Sequence, residues 1–371
     1  MRVLIIDNSR YVTGALKSIV NYSNRLKGQV SFFWALTKEL DKTEFSSLVQ
    51  SPQYFEFTFL ELRKNLKSVF LYLPVLLINA VKILRLVNKH SIEVVHVNDM
   101  YNFTGLMVKL FRPKTRLIYH VRLLPSSYLG QLYGFYLFFI RRFADKIICN
   151  SEIVFNAIGN MDKKVVLYNS EHFDAVAAEN TNPIRPEVKT ILYIGNVVRG
   201  KGHDLAIKAF NIIARQHKDV QLEIAGLIRH DAKGNEYLSY LNGLIKEYNL
   251  EGRVIFKGYC RAVNEEIVAA DIVLNMSESE SFSRVCLEAL KYGTPLVASD
   301  CGGPAEIFEH NISGFLVPNK DWAKAAEYLS ALIDDVNKRA RFSVEGQAYV
   351  RGKFDIENNF AKLLDIYAGR L

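Results

Sequence analysis

Short apolar runs alternate with longer amphipathic stretches along most of this chain. Runs at residues 3–6, 94–97, 117–119, 146–149 and 165–168 are brief and dominated by Val, Ile and Leu. That is the pattern of strands buried on both faces of a parallel sheet. Between them, residues 15–26 and 103–111 carry helical periodicity. A composition break follows at residues 179–186, Glu-Asn-Thr-Asn-Pro-Ile-Arg-Pro, and predicts a linker. The alternation then restarts, with strands predicted at 190–194, 221–225, 253–256, 272–274, 296–298 and 314–317. Helices are predicted at 203–216, 237–248, 264–270 and 283–292, and the tail after Phe354 also reads as helical. Strand–helix alternation on both sides of one linker predicts two doubly wound α/β domains. Ligands of such sheets sit at the carboxyl ends of the strands, so a cleft between the domains is the expected site.

Length and composition agree with two domains. The chain has 371 residues, 49% hydrophobic and 23% charged, as in soluble globular proteins. Its four cysteines show no CxxC spacing, which points to free thiols in a reducing compartment. The opening Met-Arg-Val-Leu-Ile-Ile-Asp reads as a strand and not as a signal peptide. The net charge of +8 lies in the first half: residues 1–180 hold 23 Lys+Arg against 14 Asp+Glu, or +9. A basic half beside a neutral one suits an anionic partner, and no nucleic-acid module accompanies it.

Chemistry-bearing residues gather where the strands end. Glu280 and Glu288 bracket Ser-Phe-Ser-Arg-Val-Cys-Leu, with a helix opening between them. On one continuous helix, acids eight residues apart would stand about 12 Å apart along the axis. A glycosidase pair needs about 5–9.5 Å, whereas the longer reach suits two ends of an extended ligand. Free backbone N–H groups around Ser283, Arg284 and Val285 would favour a diphosphate. Strand 190–194 ends at Gly195, and the loop Asn196-Val-Val-Arg-Gly-Lys-Gly202 leads into the next helix. Lys201 offers a point charge for phosphate, and Arg199 a second. Thr13-Gly14 opens the helix after the first strand, without the G-x-G-x-x-G spacing of a dinucleotide site. His120 ends a buried strand, where it is either a hydrogen-bonded core residue or a ligand contact, and Arg122 follows as a candidate for an anionic acceptor or phosphate.

The segment from Glu280 to Glu306 strongly resembles the E-x7-E region of retaining glycosyltransferases of family 4, and Gly195 with Lys201-Gly202 resembles their phosphate loop. That family has the GT-B fold, two Rossmann-like doubly wound domains facing across a cleft. The resemblance implies an acceptor-binding domain over residues 1–178, a nucleotide-sugar-binding domain over 187–353, and a helix over 354–371 crossing back to the first domain. It implies that Glu280 meets the donor sugar and Glu288 the ribose hydroxyls. It assigns His120 to the donor sugar near the reaction centre, and Gly14 to a backbone approach to donor phosphate and acceptor. Lys201, Arg199, Ser283, Arg284 and Val285 would meet the donor, and residues 256–260 would flank the nucleobase. Asn196 stands where the family has an arginine, and Ser281 and Ser283 stand where glycine often flanks the phenylalanine.

The implied function is transfer of a sugar from a nucleoside diphosphate, UDP or GDP, to a hydroxyl of a glycan or lipid-linked acceptor. A surface-polysaccharide pathway is the expected setting. No cofactor and no metal are expected, since no D-x-D pattern occurs and protein groups would meet the diphosphate. A GT-B sugar-nucleotide enzyme without an acceptor, of epimerase type, and a non-catalytic GT-B partner subunit are the alternatives. The greasy stretches at 69–86 and 130–142, each ending in basic residues, fit either core helices or a surface resting on an anionic membrane. The longest uncharged runs fall short of the roughly 20 residues needed to span a bilayer. The expected location is the cytoplasm, with peripheral contact at the inner face of the membrane.

Overall fold

The computed structural model describes residues 1–49, 52–60, 66–127, 130–173, 181–229 and 231–371, and it divides into two units. The first unit comprises Met1–His172 and Phe354–Leu371, and the second comprises Phe173–Lys353.

The first unit is built on strands β1 (Arg2–Asp7), β2 (Ser31–Thr37), β3 (Gln53–Phe57), β4 (Val94–Val97), β5 (Arg116–Val121), β6 (Lys146–Cys149) and β7 (Lys164–Val166). All pair in parallel, in the order β3-β2-β1-β4-β5-β6-β7. The chain therefore winds outward from β1 in both directions, and the order reverses between β1 and β4, where such sheets bind ligands. β2 and β3 were not among the predicted strands. One face of the sheet packs against helices Leu66–Lys89, Thr104–Phe111 and Gly130–Phe143 through Ile83, Val87, Leu106, Tyr136 and Ile140. The opposite face packs against helix Gly14–Arg25 and the last helix, Ile356–Ala368, through Leu16, Ile19, Leu363 and Ile366. Tyr367 reaches into that face, and its hydroxyl lies 2.7 Å from His96 Nδ1.

The second unit repeats the plan. Strands β8 (Thr190–Ile194), β9 (Gln221–Ala225), β10 (Val254–Gly258), β11 (Ile272–Asn275), β12 (Leu296–Asp300) and β13 (Phe315–Pro318) form a parallel sheet in the order β10-β9-β8-β11-β12-β13. Both sheets are doubly wound, as predicted. Residues 179 and 180 of the composition break lie outside the described residues. Within the rest, Asn182 is buried and docked on the second unit: its amide donates to Val268 O at 3.2 Å and to Thr294 Oγ1 at 3.0 Å. That stretch is thus anchored, not a solvated tether.

The apolar stretch 69–86, read as either a core helix or a membrane-facing surface, lies in a single 24-residue helix, Leu66–Lys89, which carries Pro74 within it. Its segment Phe70–Lys89 is long and apolar enough, by length and composition, to cross a membrane. The uncharged run alone understated it, because Lys82 and Arg85 interrupt the charge-free stretch without ending the helix.

Candidate functional site

The second unit positions its polar groups through three loops at the carboxyl ends of β8, β11 and β12. The loop after β8 is held from below. Tyr193, fully buried, donates its hydroxyl proton to Lys201 O and accepts from Met276 N at 3.1 Å. Gly202 has φ +73°, and a Cβ there would sit 1.8 Å from Met276 O. Only glycine both adopts that conformation and leaves room for the β11 loop. Glu278 N donates to Gly200 O at 3.0 Å, which ties the same loops a second time.

These ties bring Lys201 to Glu280, with Nζ 2.6 Å from Oε1. Glu280 is fixed through its own backbone: its N–H donates to Cys301 O at 3.2 Å and its carbonyl accepts from Gly303 N at 2.8 Å. A Cβ on Gly303 would lie 2.4 Å from Phe282 Cα, so the Gly302-Gly303 turn passes directly against the acid's loop. Helix Arg284–Lys291 starts just beyond. Ser283 caps it, its Oγ accepting from Cys286 N at 3.4 Å and from Asn275 Nδ2 at 3.2 Å. Buried Cys286, Leu287, Ala289 and Leu290 seat the helix on the sheet. Its first turn, at Arg284 and Val285, therefore opens beside the Lys201–Glu280 pair with its N–H groups unclaimed by the helix. One turn along, Arg284 Nη2 donates to Glu288 Oε1 at 2.7 Å, and both side chains are largely buried.

Glu280 precedes the helix and is not on it, so the 12 Å separation worked out for a continuous helix does not apply. The Lys201–Glu280 and Arg284–Glu288 pairs hold two cations and two carboxylates around one helix start. Arg199 is engaged elsewhere: its guanidinium pairs with Glu236 at 3.0 Å and lies over the rings of Tyr237 and Tyr240. Of the two cations in the β8 loop, Lys201 is the one turned to Glu280. In the 256–260 loop, Lys257 is paired with Glu223 and Glu266, while Tyr259 is exposed.

The first unit carries the remaining predicted residues. Gly14 begins helix Gly14–Arg25 behind the Thr13 cap, whose Oγ1 accepts from Leu16 N at 3.3 Å. His120 is buried and stacked on His96, with ring centroids 5.5 Å apart. Burial, with Arg122 beside it, holds the imidazole well below its ordinary value. Arg122 Nη2 donates to His120 Nδ1 at 3.0 Å, which leaves the proton on Nε2, a buried donor with no acceptor among the described residues.

Arg122 is buried as well, and its guanidinium is engaged within the first unit. It donates to Asn98 Oδ1 at 2.9 and 3.0 Å and to Asn169 Oδ1 at 2.6 Å. Asn98 in turn donates to Asp7 Oδ2 at 2.6 Å. Asp99 accepts from Asn8 at 3.3 Å and from Tyr101 N at 2.9 Å, and desolvation raises its carboxyl to about 6. Asp7, Asn98 and Asp99 were not picked out from the sequence. Their signal was available, since each is a polar residue closing an apolar strand, as His120 is. Among the described residues no group of three or more His, Cys, Asp and Glu could hold a metal ion.

Residues 177–349 match the family model for glycosyl transferases group 1. Among curated proteins, the chain is 27% identical to the N-acetylgalactosamine-N,N'-diacetylbacillosaminyl-diphospho-undecaprenol 4-alpha-N-acetylgalactosaminyltransferase of Campylobacter jejuni, over 76% of this chain and 77% of that enzyme. It is 33% identical to the D-inositol 3-phosphate glycosyltransferase of Paenarthrobacter aurescens, over 42% of this chain and 38% of that protein. Among solved structures, Anabaena HepE in complex with UDP and glucose superposes with a TM-score of 0.81 at 20% identity, covering 99% of both chains. That likeness bears on the fold, and it matches the two doubly wound sheets described above.

Proposed function

We propose, from the match of residues 177–349 to the family model for glycosyl transferases group 1, that this chain is a retaining GT-B glycosyltransferase of family 4 type. It draws its sugar from a nucleoside diphosphate sugar and passes it to a hydroxyl of a glycan or lipid-linked acceptor. The observation that carries this reading is the Lys201–Glu280 pair at the mouth of helix Arg284–Lys291, with Glu288 one turn inside. An ammonium and a helix start together offer fixed positive groups to a departing diphosphate, and such preorganised groups favour charge that develops as the bond breaks. Glu280 faces the sugar end of the donor, and Glu288 the ribose end.

Lys201 and the N–H groups at Arg284 and Val285 meet the diphosphate without a divalent ion. Within the first unit, His120 Nε2–H is a buried donor with no acceptor among the described residues, open to a hydroxyl of the substrate. The acceptor is presented at the cytoplasmic face of a membrane, in the making of a surface polysaccharide. The likeness to an enzyme whose name includes diphospho-undecaprenol supports a lipid-linked acceptor.

Calorimetric titration with UDP- and GDP-sugars tests the donor, and the anomeric configuration of the product, read by NMR, tests retention. Glu280→Gln is expected to abolish transfer while leaving nucleotide binding and the melting temperature in place. Undiminished turnover would remove Glu280 from the mechanism.

A further inference from the structure

We propose that the outer helical layer of the first unit is a docking surface for an anionic lipid leaflet, with the exposed apolar residues between Phe70 and Val81 of helix Leu66–Lys89 entering the apolar region. The inference deepens the lipid-linked acceptor reading, and rests on it only for its purpose, since the observations concern this surface alone.

Helix length is the first observation. Twenty-four residues rise about 36 Å, whereas the four-residue strand that follows spans about 13 Å. The helix ends five residues before that strand begins, so its last turns lie along the sheet and its first turns overhang the carboxyl edge. Burial follows this division. Residues 79, 80, 83 and 87 are buried, while none from 70 to 78 is.

What the overhang exposes is the second observation. Phe70 is 82% exposed, Leu73 58% and Ile78 56%, and Leu77 and Val81 are exposed with them. The patch continues onto the neighbouring helix through aromatic rings. Tyr72 meets Phe103 at 6.5 Å and Phe103 meets Phe135 at 5.8 Å, beyond which Phe138 is exposed. Scattered apolar residues are ordinary on a protein surface, but a contiguous apolar and aromatic face is not.

Charge is the third. Helices Leu66–Lys89, Thr104–Phe111, Gly130–Phe143 and Glu152–Ala157 pack on one face of the sheet and hold seven Lys+Arg against a single acid, Glu152. A layer facing only water mixes both signs. Along helix Leu66–Lys89 the exposed face changes from apolar to basic between Val81 and Lys82, and Arg85 and Lys89 follow. A helix with an inserted apolar part and a basic part at headgroup level is the pattern of an interfacial element. The buried residues of the last turns keep it on the sheet, so it lies at the surface of the leaflet and does not cross. Its overhang is on the edge where Asn98, Asp99 and Arg122 close their strands, which brings this ligand-binding edge to the membrane.

The test is co-sedimentation of the full chain with vesicles of phosphatidylglycerol and phosphatidylcholine, against vesicles of phosphatidylcholine alone. The chain is expected to bind the anionic vesicles, and to release as salt rises from 0.1 to 0.5 M. Lys82→Glu with Arg85→Glu reverses two headgroup contacts, and Leu77→Asn with Ile78→Asn removes two inserted side chains. Each pair is expected to lower partitioning roughly tenfold or more without changing the affinity for nucleotide, which also shows that the variants are folded. If either pair loses nucleotide binding, the single variants Lys82→Glu and Ile78→Asn replace it. Wild-type protein that ignores anionic vesicles, or variants that bind them as wild type does, would overturn the proposal. So would a lipid-independent dimer, seen by light scattering and abolished by the Leu77/Ile78 pair. A chain that binds vesicles but no sugar nucleotide would leave this surface standing and remove the enzymatic reading instead.

Discussion

Lys201→Ala separates the work of the proposed donor site from the stability of its unit. In the structure the ammonium is 2.6 Å from Glu280 Oε1, with the lysine side chain 37% exposed and the glutamate 20%. A pair so open to water contributes only about 0.5–1 kcal/mol to folding, because solvent screens the charges and the lysine must be ordered. A diphosphate bound there, as proposed, would present a different balance. A charge-assisted hydrogen bond from Lys201 to a phosphate oxygen is worth about 1.5–3 kcal/mol, which is roughly a 10- to 150-fold change in dissociation constant. The variant is therefore expected to unfold at nearly the same urea concentration as wild type, yet to bind a nucleoside diphosphate at least about tenfold more weakly.

The partner variant has the opposite sign. Glu280→Gln removes a carboxylate beside the anion and releases Lys201 from its pair, so nucleoside diphosphate affinity is expected to hold or to rise. Calorimetry with the diphosphate, and with the unphosphorylated nucleoside as control, reads both effects. The lysine effect is expected to vanish with the nucleoside. An affinity of Lys201→Ala for the diphosphate within twofold of wild type, in protein shown to be folded, would refute the reasoning.

Three further outcomes follow from the same geometry. Gly202→Ala places a methyl group 1.8 Å from Met276 O at φ +73°, so the loop must move; a loss of about 2–4 kcal/mol in urea unfolding is expected, with weakened diphosphate binding. Glu288→Gln is expected to cut, by roughly tenfold, the preference for the ribonucleotide over its 2′,3′-dideoxy analogue, since one charged hydrogen bond to the ribose is lost; equal discrimination in calorimetry would remove Glu288 from that role. Burial lowers His96 to about 3 and His203 to about 4, both below the ordinary 6.5, so the stability they contribute is complete above pH 6.5 and is lost as pH falls toward those values. Urea midpoints at pH 7 and pH 5 are expected to show the loss, and His203→Gln to lessen it in the second unit.

The strands of the second unit were legible because each is a short apolar run set between turn residues and a helical period. β2 was not, although Trp34, Ala35 and Leu36 are fully buried. A run of consecutive apolar residues has no period of its own, and strand and helix fit it equally. β3 lies at the edge of its sheet with Gln53, Tyr54 and Glu56 exposed, so the apolar contrast that marks a strand is weak. Helix Leu66–Lys89 was obscured for a related reason. Its exposed face is apolar from Phe70 to Val81, so no polar stripe reveals the 3.6-residue repeat there, and Pro74 reads as a break. Overhanging apolar residues are informative about partners because they disobey the rule by which helices are found.

The loops after β8, β11 and β12 and the polar network of the first unit differ in how far the chain announces them. In the second unit, backbone passes against backbone at Gly202 and Gly303, and a Cβ would collide with main-chain atoms at either place. Residue identity there is dictated by geometry within a short segment, so a motif exists to be read. Arg122, in contrast, meets Asn98 across 24 residues and Asn169 across 47, and Asn102 meets Asn8 across 94. Each of these is a side-chain pair that other donor–acceptor pairs would satisfy equally well, so no local spacing records it. The charge on Arg199 illustrates the same limit. Its sequence neighbours place it in the loop after β8, while Glu236, Tyr237 and Tyr240, about 40 residues away on one helix, decide where its guanidinium goes. A count of cations in a loop therefore overstates the charge available to an anion, and the geometry leaves Lys201 to supply it.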